Sequence, residues 1–230
     1  MPRDVARLRF LSNQLLIRLP GLIKIVRCLR NGVETEANMV RVNHLIEQLK
    51  ELQDDTAESG MLHRVQVVKT SEAEDIEFVP VSFEFKDVLE LEAAVLYWKS
   101  HMFLGNLQLK LSELSQSKID TTQEILDVME RMGCNIMMAH QYAKARPQHT
   151  HSRGMVAMGT AWMSVWALWD HIPELKGIDR GRWRSWTLQK FNEAIKVWHI
   201  QACDQDMNQT SDLFAGGPLV GFLVRAYALA

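Results

Sequence analysis

Cysteine, proline and glycine are all scarce in this chain of 230 residues. Its three cysteines, Cys28, Cys134 and Cys203, are odd in number, far apart and without metal-ligand spacing. That excludes a disulfide framework and a clustered zinc site, and it suits a reducing compartment. Six prolines and twelve glycines leave long stretches unbroken, as long helices require. The longest uncharged run falls short of the roughly 20 apolar residues of a membrane span, so no membrane partner is expected. No Gly-rich phosphate loop, His-Glu-x-x-His, Gly-x-Ser-x-Gly or Cys/His cluster occurs. Nucleotide, metalloprotease and serine-hydrolase chemistry therefore have no anchor, and neither a cofactor nor a metal is expected. No secretory signal is visible, so the sequon Asn208-Gln209-Thr210 reads as chance.

The run that is present lies at 154–169, GMVAMGTAWMSVWALW, closed by Arg153 and Asp170. Met155, Met158, Trp162, Trp166 and Trp169 recur at spacings of three and four and so share one helical face. Ala157, Ala161 and Ser164 form a second, small-residue face. A helix large on one side and small on the other is buried among neighbours, which makes this the expected central helix. A sharper reading adds Tyr97 and Trp98 and takes the stripe as a pocket for a flat apolar ligand, since such pockets are mostly aromatic. The plainer reading is core packing.

Periodicity elsewhere predicts an all-α fold, an irregular bundle of about seven helices in one domain over 1–230. Leu8, Leu11, Leu15 and Leu19 mark a first helix, interrupted at Pro20-Gly21. Leu22, Ile25, Val26 and Leu29 mark the next, stopped at Asn31-Gly32. Met39 to Leu52 carries another stripe. Residues 54–77 break the pattern and read as a flexible acidic surface loop with a short extended piece at 65–67. Residues 80–85 are extended. Asp87 with Glu90 then opens a second central helix, running to Leu114 with apolar residues on two faces, Leu89 among them. Thr121 with Glu124 is a capping box for a helix ending before Pro147. Leu188, Phe191, Ile195, Trp198 and Ala202 mark the last amphipathic helix. No sheet is expected, and the apolar end at 218–230 is free to dock back or to meet a partner.

The net charge of −2 gives no overall pull toward nucleic acid, but the charge is uneven. Residues 1–30 hold seven bases against Asp4, whereas 34–92 hold fifteen acids against five bases. Two mutually attracting parts explain this. A mitochondrial presequence shares the composition of the first thirty residues, but here the helical pattern continues without a change of composition. Three weak sites remain. His149 and His151 with His140 could hold zinc, which needs a further ligand that is not evident. Cys134 and His140 lie six apart on one helix, about 600° of rotation, and so face different ways. Arg180, Arg182 and Arg184 interleave with Trp183 and Trp186 at a helix start, a possible anion contact; a solvated helix start over packed indoles is the plainer reading.

In pattern and order, three pieces resemble the helical regulatory region of fungal binuclear zinc-cluster transcription factors. They are FLSNQLLIRLPGLIKIVRCL at 10–29, VPVSFEFKDVLELEAAVLYWKSHMFLGNLQLKL at 79–111, and MGCNIMMAHQYAKAR at 132–146 followed by the Trp helix and a helix centred on Trp186. The resemblance implies a non-enzymatic, nuclear regulator acting by self-association, by protein partners or by sensing a small molecule. The cytoplasm is the alternative location. The six-cysteine DNA-binding module of that family has no counterpart here, so no direct sequence-specific DNA binding is expected. The alternatives are a helical carrier or sensor of an apolar small molecule, and an enzyme with an unfamiliar buried site.

Overall fold

Where the apolar stripes of this sequence meet decides which breakers succeed. A computed structural model describes residues 1–33, 35–115, 122–145 and 148–218; of residues 35, 115, 148–152 and 197 it describes the backbone alone. Eight α-helices occur among the described residues. They are α1 (Arg3–Arg30), α2 (Thr35–Lys50), α3 (Asp55–Leu62), α4 (Val88–Ser115), α5 (Thr122–Lys144), α6 (Gln148–Leu168), α7 (Arg180–Ile195) and α8 (Asp204–Phe214). A 3-10 turn, Lys196–Trp198, follows α7. Strands β1 (Gln66–Lys69) and β2 (Val81–Glu84) pair antiparallel with Val67 opposite Phe83. Strands β3 (Glu174–Leu175) and β4 (Ile178–Asp179) form a second, minimal ribbon. The all-α class stands; the extended pieces at 65–67 and 80–85 pair as a ribbon where no sheet was expected, and the ribbon of β3 and β4 is an addition.

Two helices share the centre. Helix α4 packs against α1, α5, α6 and α8, and α6 packs against α4, α5, α7 and α8. The main core lies where α4, α5, α6 and α7 meet, and a second cluster joins the later half of α1, α2 and the later half of α4 through Leu22, Val42, Leu49 and Leu107. The two-faced pattern of α4 follows from this position, although Leu89, at its first turn, is exposed. Glycine serves one close approach here. A Cβ on Gly154 would stand 3.4 Å from the Cα of Ala143, so α5 and α6 come together at that point.

Helix α1 does not break at Pro20-Gly21. It runs 28 residues with Pro20 inside it, because Leu15, Leu19, Leu22 and Val26 continue one buried stripe across the proline. Pro20 itself is exposed, and the carbonyl four residues earlier loses its helical donor. Burial against α4 outweighs that loss. The expected stop at Asn31-Gly32 is real. Gly32 adopts φ +69°, its N–H reaches the Leu29 carbonyl at 3.0 Å and the Val33 N–H reaches Cys28 at 2.9 Å, which is a Schellman ending.

The acidic stretch 54–77 is structured. Asp54 caps α3 by accepting from the Ala57 N–H at 2.9 Å, and the strand β1 follows. Asp87 caps α4 by accepting from the Glu90 N–H at 2.9 Å, while the Glu90 carboxylate accepts from the Lys86 N–H at 3.2 Å. Asp179 does the same for α7, accepting from Gly181 at 2.8 Å. Thr121 and the segment 219–230 lie outside the described residues. No described helix is long and apolar enough to cross a membrane.

Pro20→Ala restores a donor inside α1 at an exposed position. We expect it to stabilise the chain by about 2 kcal/mol, read as a higher urea midpoint with unchanged slope; a neutral or destabilising result shows that the proline sets a needed bend.

Candidate functional site

The aromatic stripe of α6 is fully consumed by packing. Met155, Met158, Trp162, Trp166 and Trp169 are buried, as are Tyr97 and Trp98. Trp169 stacks on Trp183 at 4.9 Å between centroids, and Trp162 meets Trp186 edge-on at 5.3 Å. An indole N–H is a donor only, so a buried one needs an acceptor. Trp162 donates to His140 Nδ1 at 3.1 Å, Trp166 to Asn208 Oδ1 at 2.9 Å and Trp169 to Thr187 Oγ1 at 2.9 Å. Trp98 donates to Glu58 Oε1 at 2.8 Å, and the Tyr97 hydroxyl accepts from the Asp54 N–H at 2.8 Å. These seven side chains are buried in the core and line none of the main clefts among the described residues, which is the plainer reading of the stripe.

Beside the stripe lies a buried knot of charge. The Lys190 ammonium has no solvent access. It stands 2.9 Å from Asp75, 3.1 Å from Glu193, 3.6 Å from Glu72 and 3.7 Å from Glu74. Glu72, Glu74 and Asp75 lie close enough together to hold a cation, and Lys190 is the cation they hold. Burial works against that charge, but the hydrogen bond to Asp75 and the charges of Glu193 and Asp75 outweigh it and keep the Lys190 pKa above the ordinary lysine value. Trp186 adds a second bond to Asp75 at 2.8 Å. Because Trp162 donates to His140 Nδ1, that nitrogen is the acceptor, and the ring carries its proton on Nε2, which donates to Glu193 at 3.2 Å. Burial holds the His140 pKa below the ordinary histidine value, more strongly than its bond to Glu193 raises it. Burial pulls the Glu193 pKa up, but the His140 bond and the Lys190 charge override this and hold it far below the carboxylate range. Both nitrogens of His140 are committed and Lys190 stays charged, so the knot offers neither a base nor a nucleophile.

Most of the arginine candidates are similarly spent. Arg182 pairs with Glu77, and Arg184 pairs with Asp170 while standing 5.2 Å over the Trp166 ring. Arg180 is exposed at the helix start. The trio is a solvated helix opening laid over packed indoles. His149 and His151 have side chains outside the described residues, so the zinc reading falls there. Cys134 is half-buried and His140 buried, and the His140 nitrogens bond Trp162 and Glu193.

A different case is a half-buried ammonium on α4. Lys99 of α4 is half-buried, and its ammonium donates to Thr160 Oγ1 of α6 at 2.6 Å. Among the described residues no carboxylate lies within ion-pair reach of it. Burial alone pushes its pKa down to about 8. It stands in an open cleft of about 670 Å³ between α1, α4 and α6. Ala93, Leu96, Val156 and Ala157 supply apolar wall, and Arg9 and Arg153 stand around it with Glu92. Arg153 grips Glu92 through Nε and Nη2, the latter at 2.6 Å, so that acid is not free to serve Lys99. The sequence reading passed over Lys99. The signal available was a lysine two turns after Glu92 and next to Tyr97-Trp98, but the opposing wall comes from other helices.

Comparison with protein-family models, with curated proteins and with solved structures finds no match to this chain.

Two outcomes follow for the buried charges. Lys190→Met leaves Asp75 buried without its cation and is expected to cost about 3–5 kcal/mol in urea unfolding. His101, buried beside Arg131, has its pKa pushed down to about 4, first by burial. His101 and His140 both bind protons less readily folded than unfolded, so stability present above about pH 6.5 is lost as pH falls toward the folded values. Glu193 adds a further loss below the ordinary carboxylate range. The urea midpoint is therefore expected to drop between pH 7.5 and pH 5, and to drop less in His101→Leu.

Proposed function

We propose that this chain is a non-enzymatic helical regulatory module, acting through protein partners or self-association and sensing a small molecule in the cleft at Lys99. The observation that carries the reading is a contrast between two places. In the core, the Lys190 ammonium is enclosed by carboxylates and both nitrogens of His140 are bonded. At the cleft, a single ammonium faces open space without a counter-charge. A rigid interior with an unanswered charge at its surface is the arrangement of a body that binds and is held, with no group placed to carry a reaction. The resemblance to the regulatory region of fungal zinc-cluster transcription factors supplies the setting: a nuclear regulator whose DNA contact comes from another chain or segment. The same cleft supports a carrier of an amphipathic small molecule as the second reading.

The test is a reporter assay. The full chain is fused to a heterologous DNA-binding module and placed at a promoter. Reporter output is expected to differ from that of the module alone, and the purified chain is expected not to shift the same promoter DNA in a gel. Unchanged output, or turnover of a substrate by the purified chain, overturns the proposal.

A further inference from the structure

We infer that the cleft between α1, α4 and α6 binds a monocarboxylate with an apolar body, its carboxylate seated on the Lys99 ammonium that Thr160 positions. The inference names the ligand class of the sensing cleft and takes its biological meaning from the regulatory reading, but the binding event does not depend on it.

The donors come first. An ammonium has three N–H groups. Lys99 spends one on Thr160, at 2.6 Å, and two are left for an incoming acceptor. Thr160 also contacts the Ala157 carbonyl at 3.4 Å, which orients its hydroxyl and leaves its oxygen to Lys99. The charge around the pair is lopsided. Arg9, Lys99 and Arg153 face the cleft against Glu92 alone, and Glu92 is held by Arg153. A cation is repelled from such a site, and a neutral polar group gains little from it. An anion completes it.

The walls then choose among anions. Ala93, Leu96, Val156 and Ala157 offer methyl and isopropyl surface and no further donors. Val156 is exposed although it sits on the innermost helix of the fold. A phosphate dianion needs more donors than one ammonium and a flanking Arg9 provide. A carboxylate needs few, and its hydrocarbon covers the apolar wall. The cleft volume of about 670 Å³ lies within the range of small-ligand sites, roughly 300–1,000 Å³. A half-buried ammonium without a counter-ion is a cost to folding that a bound carboxylate removes.

A proton signature follows. With its pKa near 8, Lys99 is partly neutral at pH 8.5. A carboxylate favours the charged form, raises that pKa and draws a proton onto the protein. Arg9, Arg153 and Glu92 also face the cleft, so the assignment of the proton to Lys99 rests on the Lys99→Met variant.

Isothermal titration calorimetry of the full chain with octanoate and with octanamide decides the matter. Octanoate is expected to bind about tenfold or more tighter than the amide, the scale of one charge-assisted contact. At pH 8.5, runs in two buffers of different ionisation enthalpy are expected to show net proton uptake for octanoate only. Lys99→Met is expected to erase both the preference and the uptake, while Lys110→Met, at an exposed ion pair with Glu113, changes neither. Equal affinity for acid and amide in the unaltered chain overturns the inference without recourse to any variant, as does a preference that survives Lys99→Met. Octanoate binding with an unmoved reporter refutes the regulatory reading and leaves this one standing. A responsive reporter with no octanoate preference does the reverse.

Discussion

A lysine ammonium without access to water must be answered by carboxylates, and at Lys190 that demand ties together parts of the chain far apart in sequence. The acids come from 72–75, from α7 itself through Glu193, and the chain of bonds continues through His140 on α5 to Trp162 on α6. Take away the ammonium and Asp75 keeps only the Trp186 N–H as its partner on α7. Phe78, three residues on, is seated on the same helix, where it stacks on Trp186 at 5.0 Å and meets Trp183 edge-on at 5.1 Å. The interior ring packing is general hydrophobic burial; the knot gives it one register, because a charged group accepts few alternative neighbours.

What the sequence made legible is what periodicity encodes. The stripe of α6 and the two faces of α4 are local patterns, and each became a buried face. Local punctuation was less reliable. Pro20 signalled a break, yet α1 runs through it, because the apolar residues on either side fall on the same stripe and both halves find α4. Helix α3 was missed, and β1 was legible only as a short extended piece at 65–67, because 54–77 is acidic and short of apolar runs. It contains two buried acids, Glu58 and Asp75, and only distant partners explain Glu58: Trp98, Arg131 and Asn135 all bond to it. Lys190 was invisible for the same reason. Apart from Glu193, its acids Glu72, Glu74 and Asp75 lie more than a hundred residues away, and no spacing rule reaches that far.

Lys99 and Lys190 differ instructively. Each is drawn out of water, and desolvation opposes the charge on both. Lys190 meets a set of carboxylates, so its charge is held. Lys99 meets a hydroxyl, so its charge is weakened. The first arrangement is what a fold builds to hold itself together. The second does nothing for the fold that a methionine of similar length would not do better, since methionine fills the same space without desolvating a charge. A residue that works against stability in an open cleft is accounted for by what enters the cleft, and this is the physical ground for placing function there instead of in the aromatic core.

The same helix produces both environments. The large face of α6 turns inward, where Trp162 and Trp166 close the core. Its smaller residues turn to its flanks, where they do two different things. Gly154 lets the α5 backbone approach, so one flank is sealed. Ala157 and Thr160, one turn further on, face Ala93 and Lys99 across the α4–α6 seam, where short side chains leave a gap that α1 does not fill. A leucine at Ala157 would carry the core outward into that gap. The cleft is therefore the direct consequence of small residues on a helix whose opposite side is all tryptophan: the rigidity of one side supplies the fixed wall against which the open side can hold a ligand in one geometry.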